Sequence, residues 1–143
     1  MTVATITTDI NIGPFKIPSN GQNMIMNNYA QRNNLTVELV IPEPMMSQAL
    51  ATVQWIHKER KLTKVILSSI HQLPIEEDRI NELLMNMEGV EFHFALEGIK
   101  GQGKTFLMKI VKEAKIFMNS QDIESTKTNW LDLHKTMKNF SIK

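Results

Sequence analysis

The chain has 143 residues, of which 42% are hydrophobic and 22% are charged, and these proportions suit one globular domain and are too ordinary for a disordered chain. It has no cysteine, which excludes disulfides, thiolate nucleophiles and cysteine-based zinc sites. The formal net charge is +1, the first residues have no basic region followed by an apolar run, and no stretch approaches the roughly 18 apolar residues of a membrane helix, so we expect a cytoplasmic protein without a membrane partner.

Strand and helix patterns alternate along the chain with short connections. In chain order the patterns predict a strand over residues 2–8, a helix over 23–34, a strand over 35–41, a helix over 45–61, a strand over 64–70, a helix over 75–87, a strand over 90–97 and helices over 105–118 and 126–139. Pro42 and Pro44 are expected to end the second strand. The third strand, KVILSSI, is an almost continuous apolar run, which is typical of a central strand covered on both faces.

This alternation indicates β-α-β units and therefore a parallel sheet. We expect a single three-layer, doubly wound α/β domain with a mainly parallel four-stranded sheet in residues 1–100, followed by C-terminal helices in residues 101–143. The apolar helix faces are more numerous than four short strands cover. A homodimer through the C-terminal helices is therefore a second expectation.

The charges are unevenly placed. Residues 1–99 contain seven basic and eleven acidic residues, whereas residues 100–143 contain nine lysines and four acidic residues. These lysines recur at helical spacing without arginine and with few aromatic residues between them, so the pattern favours a solvated helix face, or a face that meets a second subunit, over a nucleic-acid partner.

Residues 98–105 read GIKGQGKT and match the nucleotide-binding pattern G-x-x-x-x-G-K-[ST], with a predicted strand before it and a helix after it. A nucleotide triphosphatase also needs an aspartate at the end of a neighbouring strand to hold magnesium, and only Asp9 is available. Too few residues follow the pattern to complete such a fold. We therefore expect a glycine-rich turn that enters a helix and binds an anion at most weakly.

The order of elements resembles the catalytic domain of serine recombinases (resolvases), a likeness carried by KIPSNGQN, KVILSSIHQLP, GVEFHFALEGI and GKTFLMKIVKEAKIF. In that family a loop serine is the nucleophile and an Asp-Arg-Leu-x-Arg motif follows the middle strand. The serine position falls on Pro18, one place before Ser19, and the arginine motif falls near residues 71–75, where no arginine occurs. The resemblance implies a resolvase-like or flavodoxin-like fold without the recombinase chemistry.

A closer resemblance is to the sporadic carbohydrate cluster family, small bacterial proteins encoded among surface-polysaccharide biosynthesis genes. Its members have P-x-x-x-Q-N near the first helix, F-Q-L-P after the middle strand and H-F-A-L-E-G in the last strand. The matching residues here are Pro18, Gln22 and Asn23, then HQLP at residues 71–74, then HFALEG at residues 93–98. The match covers about residues 14–100 and implies a role in carbohydrate biosynthesis.

Ligands of open parallel sheets bind beyond the carboxyl ends of the strands. His71 and Glu97 follow strands that we expect to be adjacent, and they are the candidate acid/base pair. The candidate ligand-binding residues, whose amides and hydroxyls suit a sugar or nucleotide-sugar, are Ser19, Gln22, Asn23, Ser69, Gln72 and Gly98. The alternative interpretation is that His71 is a surface histidine, that Gln22 and Asn23 cap the first helix, and that Gln72 lies in a turn.

Three functions stay open at this point: a small enzyme or sugar-binding component of a glycan pathway, a non-catalytic scaffold subunit of the same pathway, and a degenerate resolvase-like nucleic-acid binder. A clustered basic groove with arginines would favour the third, and the sequence lacks it. The four histidines have no close carboxylate partners in the sequence, so we expect no metal site, and nothing predicts a cofactor. His93, between Phe92 and Phe94, is expected to be a packed or half-exposed strand residue and not a ligand.

Overall fold

The structure is a computed structural model that describes residues 2–8, 16–43, 50–74 and 76–120, without the side chains of residues 117–120. Its elements in chain order are β1 (Thr2–Thr8), α1 (Ser19–Arg32), β2 (Leu39–Glu43), α2 (Ala51–Arg60), β3 (Leu62–Leu67), a 3-10 turn (Ile70–Gln72), α3 (Glu77–Asn86), β4 (Glu91–Phe94), β5 (Ile99–Gly101) and α4 (Lys104–Ser120). None of the helices in these ranges is long and apolar enough to span a bilayer.

The strands form one five-stranded sheet in the order β2-β1-β3-β4-β5. The first four strands are parallel and β5 is antiparallel to β4, so the expectation of a four-stranded sheet was wrong by one strand. Gly98 explains the extra strand, because its φ of 66° allows a tight turn after β4. The Gly98 N–H donates to the Phe94 carbonyl at 2.8 Å, and residues 99–101 then pair back along β4.

Pro42 does not end the second strand, contrary to the sequence prediction. Pro42 lies inside β2, in register with Thr7 of β1. Because β2 is an edge strand, a residue without an N–H can sit there with no loss of a ladder hydrogen bond on the open side. Pro44 lies outside the described residues.

The sheet buries its two faces unequally. One face packs against α2, α3 and α4 and forms the main core, whose buried strand residues are Ala4, Ile6, Ile41, Leu62, Val65, Leu67, Phe92 and Phe94. The opposite face packs against α1 in a smaller cluster of Val3, Met26, Tyr29, Ala30, Ile66 and Ala95. Alternation of side chains along each strand produces this division.

Most helices lie close to their predicted ranges. α1 begins at Ser19, four residues before the prediction, after Pro18 in an extended conformation with a φ of −64°. α2 is described from Ala51, and the predicted residues 45–49 before it lie outside the described ranges. The predicted last helix at residues 126–139, and the homodimer expected through the C-terminal helices, also involve residues that the structure does not describe.

Candidate functional site

The carboxyl ends of β1, β2, β3 and β4 lie along one edge of the sheet because these strands are parallel. The chain leaves β1 towards α1 on one face and leaves β3 towards α3 on the other. Such a divergence between neighbouring strands opens a crevice beyond their ends, which is where ligands of open α/β sheets bind. The predicted site residues follow these strands or begin α1.

Gln22 fastens the first turn of α1 to the end of β1. Its side chain is fully buried, and its Oε1 accepts the Thr8 N–H at 2.8 Å. Its Nε2 donates to the carbonyls of Thr8 and Ile17, also at 2.8 Å. The amide thus contacts both backbone groups of Thr8, the last residue of β1.

Gln72 makes the corresponding contact from the 3-10 turn. Its buried Oε1 accepts the Ser68 N–H, and its Nε2 donates to the Ile6 carbonyl at 3.1 Å. The last paired residues of the two strands are Ile6 and Leu67, so the amide lies where the β1–β3 ladder ends. Gln72 therefore bridges two diverging strands.

Glu97 connects the turn after β4 to the segment after β3. Its Oε2 accepts the Ser69 hydroxyl at 2.7 Å, and its Oε1 accepts the Ile70 N–H at 3.0 Å. Ser69 is buried and caps the 3-10 turn, where its Oγ also accepts the His71 N–H at 3.3 Å. Glu97 itself is exposed to solvent, so this carboxylate is fixed in place at the surface of the edge.

β3 and β4 pair directly, as expected, and this brings His71 near Glu97. Burial lowers the pKa of His71, and the nearby Glu97 carboxylate partly offsets that shift. The ring is half-buried, and the lowered pKa favours its neutral form at pH 7. Ser19 and Gly98 are exposed and Asn23 is half-buried.

A second polar chain was missed by the sequence analysis. The Tyr29 hydroxyl of α1 contacts His93 Nδ1 at 2.7 Å, and His93 Nε2 contacts Glu91, which lies 3.8 Å from the Lys64 ammonium. His93 is 2% exposed, and burial lowers its pKa although the Glu91 hydrogen bond opposes the shift. Of the two expectations for His93, packed or half-exposed, the structure shows the packed one, but its partner on α1 is 64 residues away and left no local signal.

Glu43, at the end of β2, is another buried group with a structural contact. It is 2% exposed, and its Oε1 accepts the Val53 N–H of the first turn of α2 at 2.8 Å. A carboxylate at the beginning of a helix is favoured by the free N–H groups there. Within the described ranges, no three histidines or carboxylates are grouped as they would need to be to hold a metal ion.

Residues 98–105 do not form a strand–loop–helix phosphate cradle. Residues 99–101 form β5 and pair with β4, and the chain enters α4 only after Gly103, which has a φ of 90°. In a nucleotide-binding loop the backbone between the glycines instead wraps around phosphate. Lys104 is the first residue of α4 and is exposed.

Neither family models nor curated proteins gave a match to the sequence. Among solved structures, the N-terminal catalytic domain of TP901-1 integrase is similar, with a TM-score of 0.58 and 13% identity over 85% of this chain and 99% of that chain. At this identity the likeness shows the fold alone, a mixed α/β fold like the resolvase-like catalytic domain of a serine integrase. These comparisons give no support to the sporadic carbohydrate cluster family.

Proposed function

We propose that the carboxyl edge of the sheet binds a sugar or nucleotide-sugar and that the protein acts in the biosynthesis of surface carbohydrate. The observation that carries the proposal is the Glu97 carboxylate, which is exposed to solvent yet fixed by Ser69 and Ile70. Each carboxylate oxygen can accept a further hydrogen bond, so a fixed carboxylate can hold two neighbouring hydroxyls of a sugar ring.

The three segments that carry the carbohydrate-family resemblance meet at this edge. The P-x-x-x-Q-N segment is fastened to β1 through Gln22, HQLP is fastened to β1 through Gln72, and HFALEG is fastened to the 3-10 turn through Glu97. These segments are distant in the sequence. Their convergence supports a site there, because the motif residues either hold the edge together or lie at its surface.

The motif residues divide into two groups by exposure. Gln22, Ser69 and Gln72 are buried and hydrogen-bonded to backbone or to Glu97, so they are positioning residues under the site. The residues that a ligand can reach are Ser19, Asn23, His71, Glu97 and Gly98. Amide, hydroxyl and carboxylate groups of this kind suit the many hydroxyls of a sugar.

The charge at the edge also favours a sugar over a long phosphate chain. The sequence has three arginines, of which Arg32 and Arg60 lie in the last turns of α1 and α2, at the opposite edge. Arg79, near the beginning of α3, is paired with Glu76 at 3.3 Å. For the diphosphate of a nucleotide-sugar, the first turn of α1 offers backbone N–H groups and contains no acidic residue.

His71 and Glu97 are the pair that would move a proton to or from a bound hydroxyl. Burial lowers the pKa of His71 and so favours the neutral imidazole at pH 7, which is the form that accepts a proton. Glu97 would orient the reacting hydroxyl and stabilise the imidazolium that forms. The two residues thus supply a base and a counter-charge at one position.

The test is binding of UDP-glucose, UDP-N-acetylglucosamine and GDP-mannose, measured by saturation-transfer NMR. Glu97→Gln should weaken binding by about 1–3 kcal/mol, because it removes the charge that a hydroxyl pair meets. Glu38→Gln is the matched control, since Glu38 is exposed, precedes β2 and lies at the opposite edge. If none of the three ligands binds, or if Glu97→Gln binds as tightly as the control, the proposal is wrong and a scaffold role is favoured.

A further inference from the structure

A cleft of about 480 Å³ lies between α2 and α3, on the sheet face opposite α1. Its lining includes Trp55, His57, Lys58, Lys61, Met85 and Asn86. These residues belong to the second half of α2 and the end of α3, and Lys61 directly precedes β3. The cleft is therefore near the amino ends of the strands, away from the candidate sugar site, and its size is that of a small-molecule pocket.

The cleft presents an open aromatic surface. Trp55 is 64% exposed and Met85 is 80% exposed, whereas Val53 of the same helix is fully buried in the core. An indole ring left in water is an available stacking platform for a flat ring or for the apolar face of a sugar.

The polar groups around Trp55 include several hydrogen-bond donors. Lys58 and Lys61 contribute two ammonium groups, and none of the lining residues is acidic. His57 Nδ1 accepts the Leu62 N–H at 2.9 Å, so the proton of the neutral ring is on Nε2, which is a donor. Cations and N–H donors without a carboxylate are suited to an anion.

Lys61 occupies a position that is unfavourable for a lysine backbone. Its φ is 48°, in the left-handed region, and its N–H donates to the His57 carbonyl at 2.8 Å to end α2. Glycine is the residue preferred at such a helix end. A glycine here suits the backbone conformation and removes the ammonium group together with its aliphatic chain, so Lys61→Gly probes the cleft without straining the end of α2.

We propose that this cleft binds a phosphate attached to a ring, as in a sugar phosphate or a nucleotide. The ring stacks on Trp55, and Lys58 and Lys61 hold the phosphate. This site is additional to the sugar site proposed above and does not depend on it.

Trp55 fluorescence provides the test. The chain has two tryptophans, so a Trp130→Phe variant leaves Trp55 as the reporter. Glucose 1-phosphate, UMP and inorganic phosphate are titrated separately, and the two ring compounds should give saturable changes at concentrations about tenfold lower than inorganic phosphate because they add stacking. The ring compound that binds more tightly shows whether the ligand is a sugar phosphate or a nucleotide.

In the same background, Lys61→Gly should weaken the binding of both ring compounds about tenfold, the usual scale for losing a charged hydrogen bond, without lowering the urea midpoint of unfolding. Lys109→Gln is the matched control, because Lys109 is exposed on α4, lies outside the cleft and changes the net charge equally. Glu97→Gln should leave this binding unchanged, which separates it from the sugar site.

Three results would overturn the proposal: no saturable change with any probe, equal binding by Lys61→Gly and Lys109→Gln, or loss of the signal in Glu97→Gln. A fluorescence change that follows protein concentration without a probe would also overturn it, since a second copy of the chain would then cover Trp55.

Discussion

Single buried polar side chains hold the carboxyl edge of this sheet together. The β1–β3 ladder ends at Ile6, and from there to the end of β1 the side chains of Gln22 and Gln72 hydrogen-bond to the β1 backbone. A glutamine suits this position because one amide carries both an acceptor and a donor, whereas a glutamate could only accept. The same two residues belong to motifs that the sequence analysis assigned to ligand binding. Both side chains are buried, so a sequence motif alone does not distinguish a residue that contacts a ligand from one that holds the neighbouring backbone in place.

The buried His93 makes the stability of the fold sensitive to acid. Burial lowers the pKa of His93 below its ordinary value of 6.5, so below that value the unfolded chain binds more protons than the folded one. The contribution of His93 to stability is therefore fully present above pH 6.5 and is lost as the pH falls towards its folded pKa. We expect the free energy of unfolding to decrease on acidification through this window, as measured by urea unfolding at several pH values.

Burial also lowers the pKa values of His57 and His71. The contribution of His93 to the pH dependence of stability therefore needs its own measurement. NMR titration of the His93 ring should give a pKa below 6.5 in the wild type. In Tyr29→Phe the pKa should rise, because the hydroxyl that donates to Nδ1 of the neutral ring is gone. A His93 ring that titrates above 6.5 in the wild type would contradict this account.

At the scale of elements, the hairpin of β4 and β5 depends on a close approach of backbone to an aromatic ring. A Cβ placed on Gly101 would lie 2.6 Å from Cδ2 of Phe106, which is too close for any real contact. The Phe106 ring packs against the main core and lies 6.4 Å from the ring of Phe94. Glycine at the end of β5 therefore lets α4 begin against the sheet.

Gly101→Ala should destabilise the protein by about 1–3 kcal/mol, the usual cost of forcing an extra methyl into a packed site. Phe106→Ala removes the ring atoms that the methyl meets, so Gly101→Ala should cost less in the Phe106→Ala background than in the wild type. Urea unfolding of the four proteins measures this coupling. Additive effects of the two substitutions would show that the ring and the glycine are independent.

The sequence predicted the larger elements and missed the smallest. Apolar residues at helical spacing predicted the long helices α3 and α4, whose bounds differ from the predictions by two residues or fewer. β5 has three residues, IKG, which have no apolar alternation of their own. Its formation depends on the free edge of β4 and on the turn at Gly98, and these are properties of the assembled sheet. For Glu97, the sequence predicted only that the ends of β3 and β4 are neighbours. It did not predict the contacts of Glu97 with Ser69 and Ile70.

For the whole molecule, the overall fold and the side chains at the carboxyl edge indicate different functions. The chain shares a resolvase-like fold with the catalytic domain of an integrase, at 13% identity. A fold does not carry its reaction with it, because the reaction depends on the side chains at the site. Phosphoryl transfer requires cations placed to stabilise the charge of the transition state, usually arginines that grip phosphate with two hydrogen bonds. Glu97 instead places a fixed carboxylate at the surface of the carboxyl edge of this sheet.

We therefore expect the protein neither to cleave nor to join DNA. Pro18 stands where the resemblance places the nucleophile, and an extended proline has no hydroxyl to attack phosphorus. Ser19, the adjacent residue, is exposed, but two of the three arginines of the chain lie at the opposite edge of the sheet and the third is paired with a glutamate, so no arginine cluster stabilises a transition state there. Incubation with supercoiled DNA, followed by denaturing electrophoresis, should show no covalent protein–DNA adduct. Weak retention of DNA that disappears with added salt is compatible with this result, because exposed lysines bind phosphate without regard to sequence. Adducts that form in the wild type and vanish in Ser19→Ala would show instead that Ser19 is a working nucleophile.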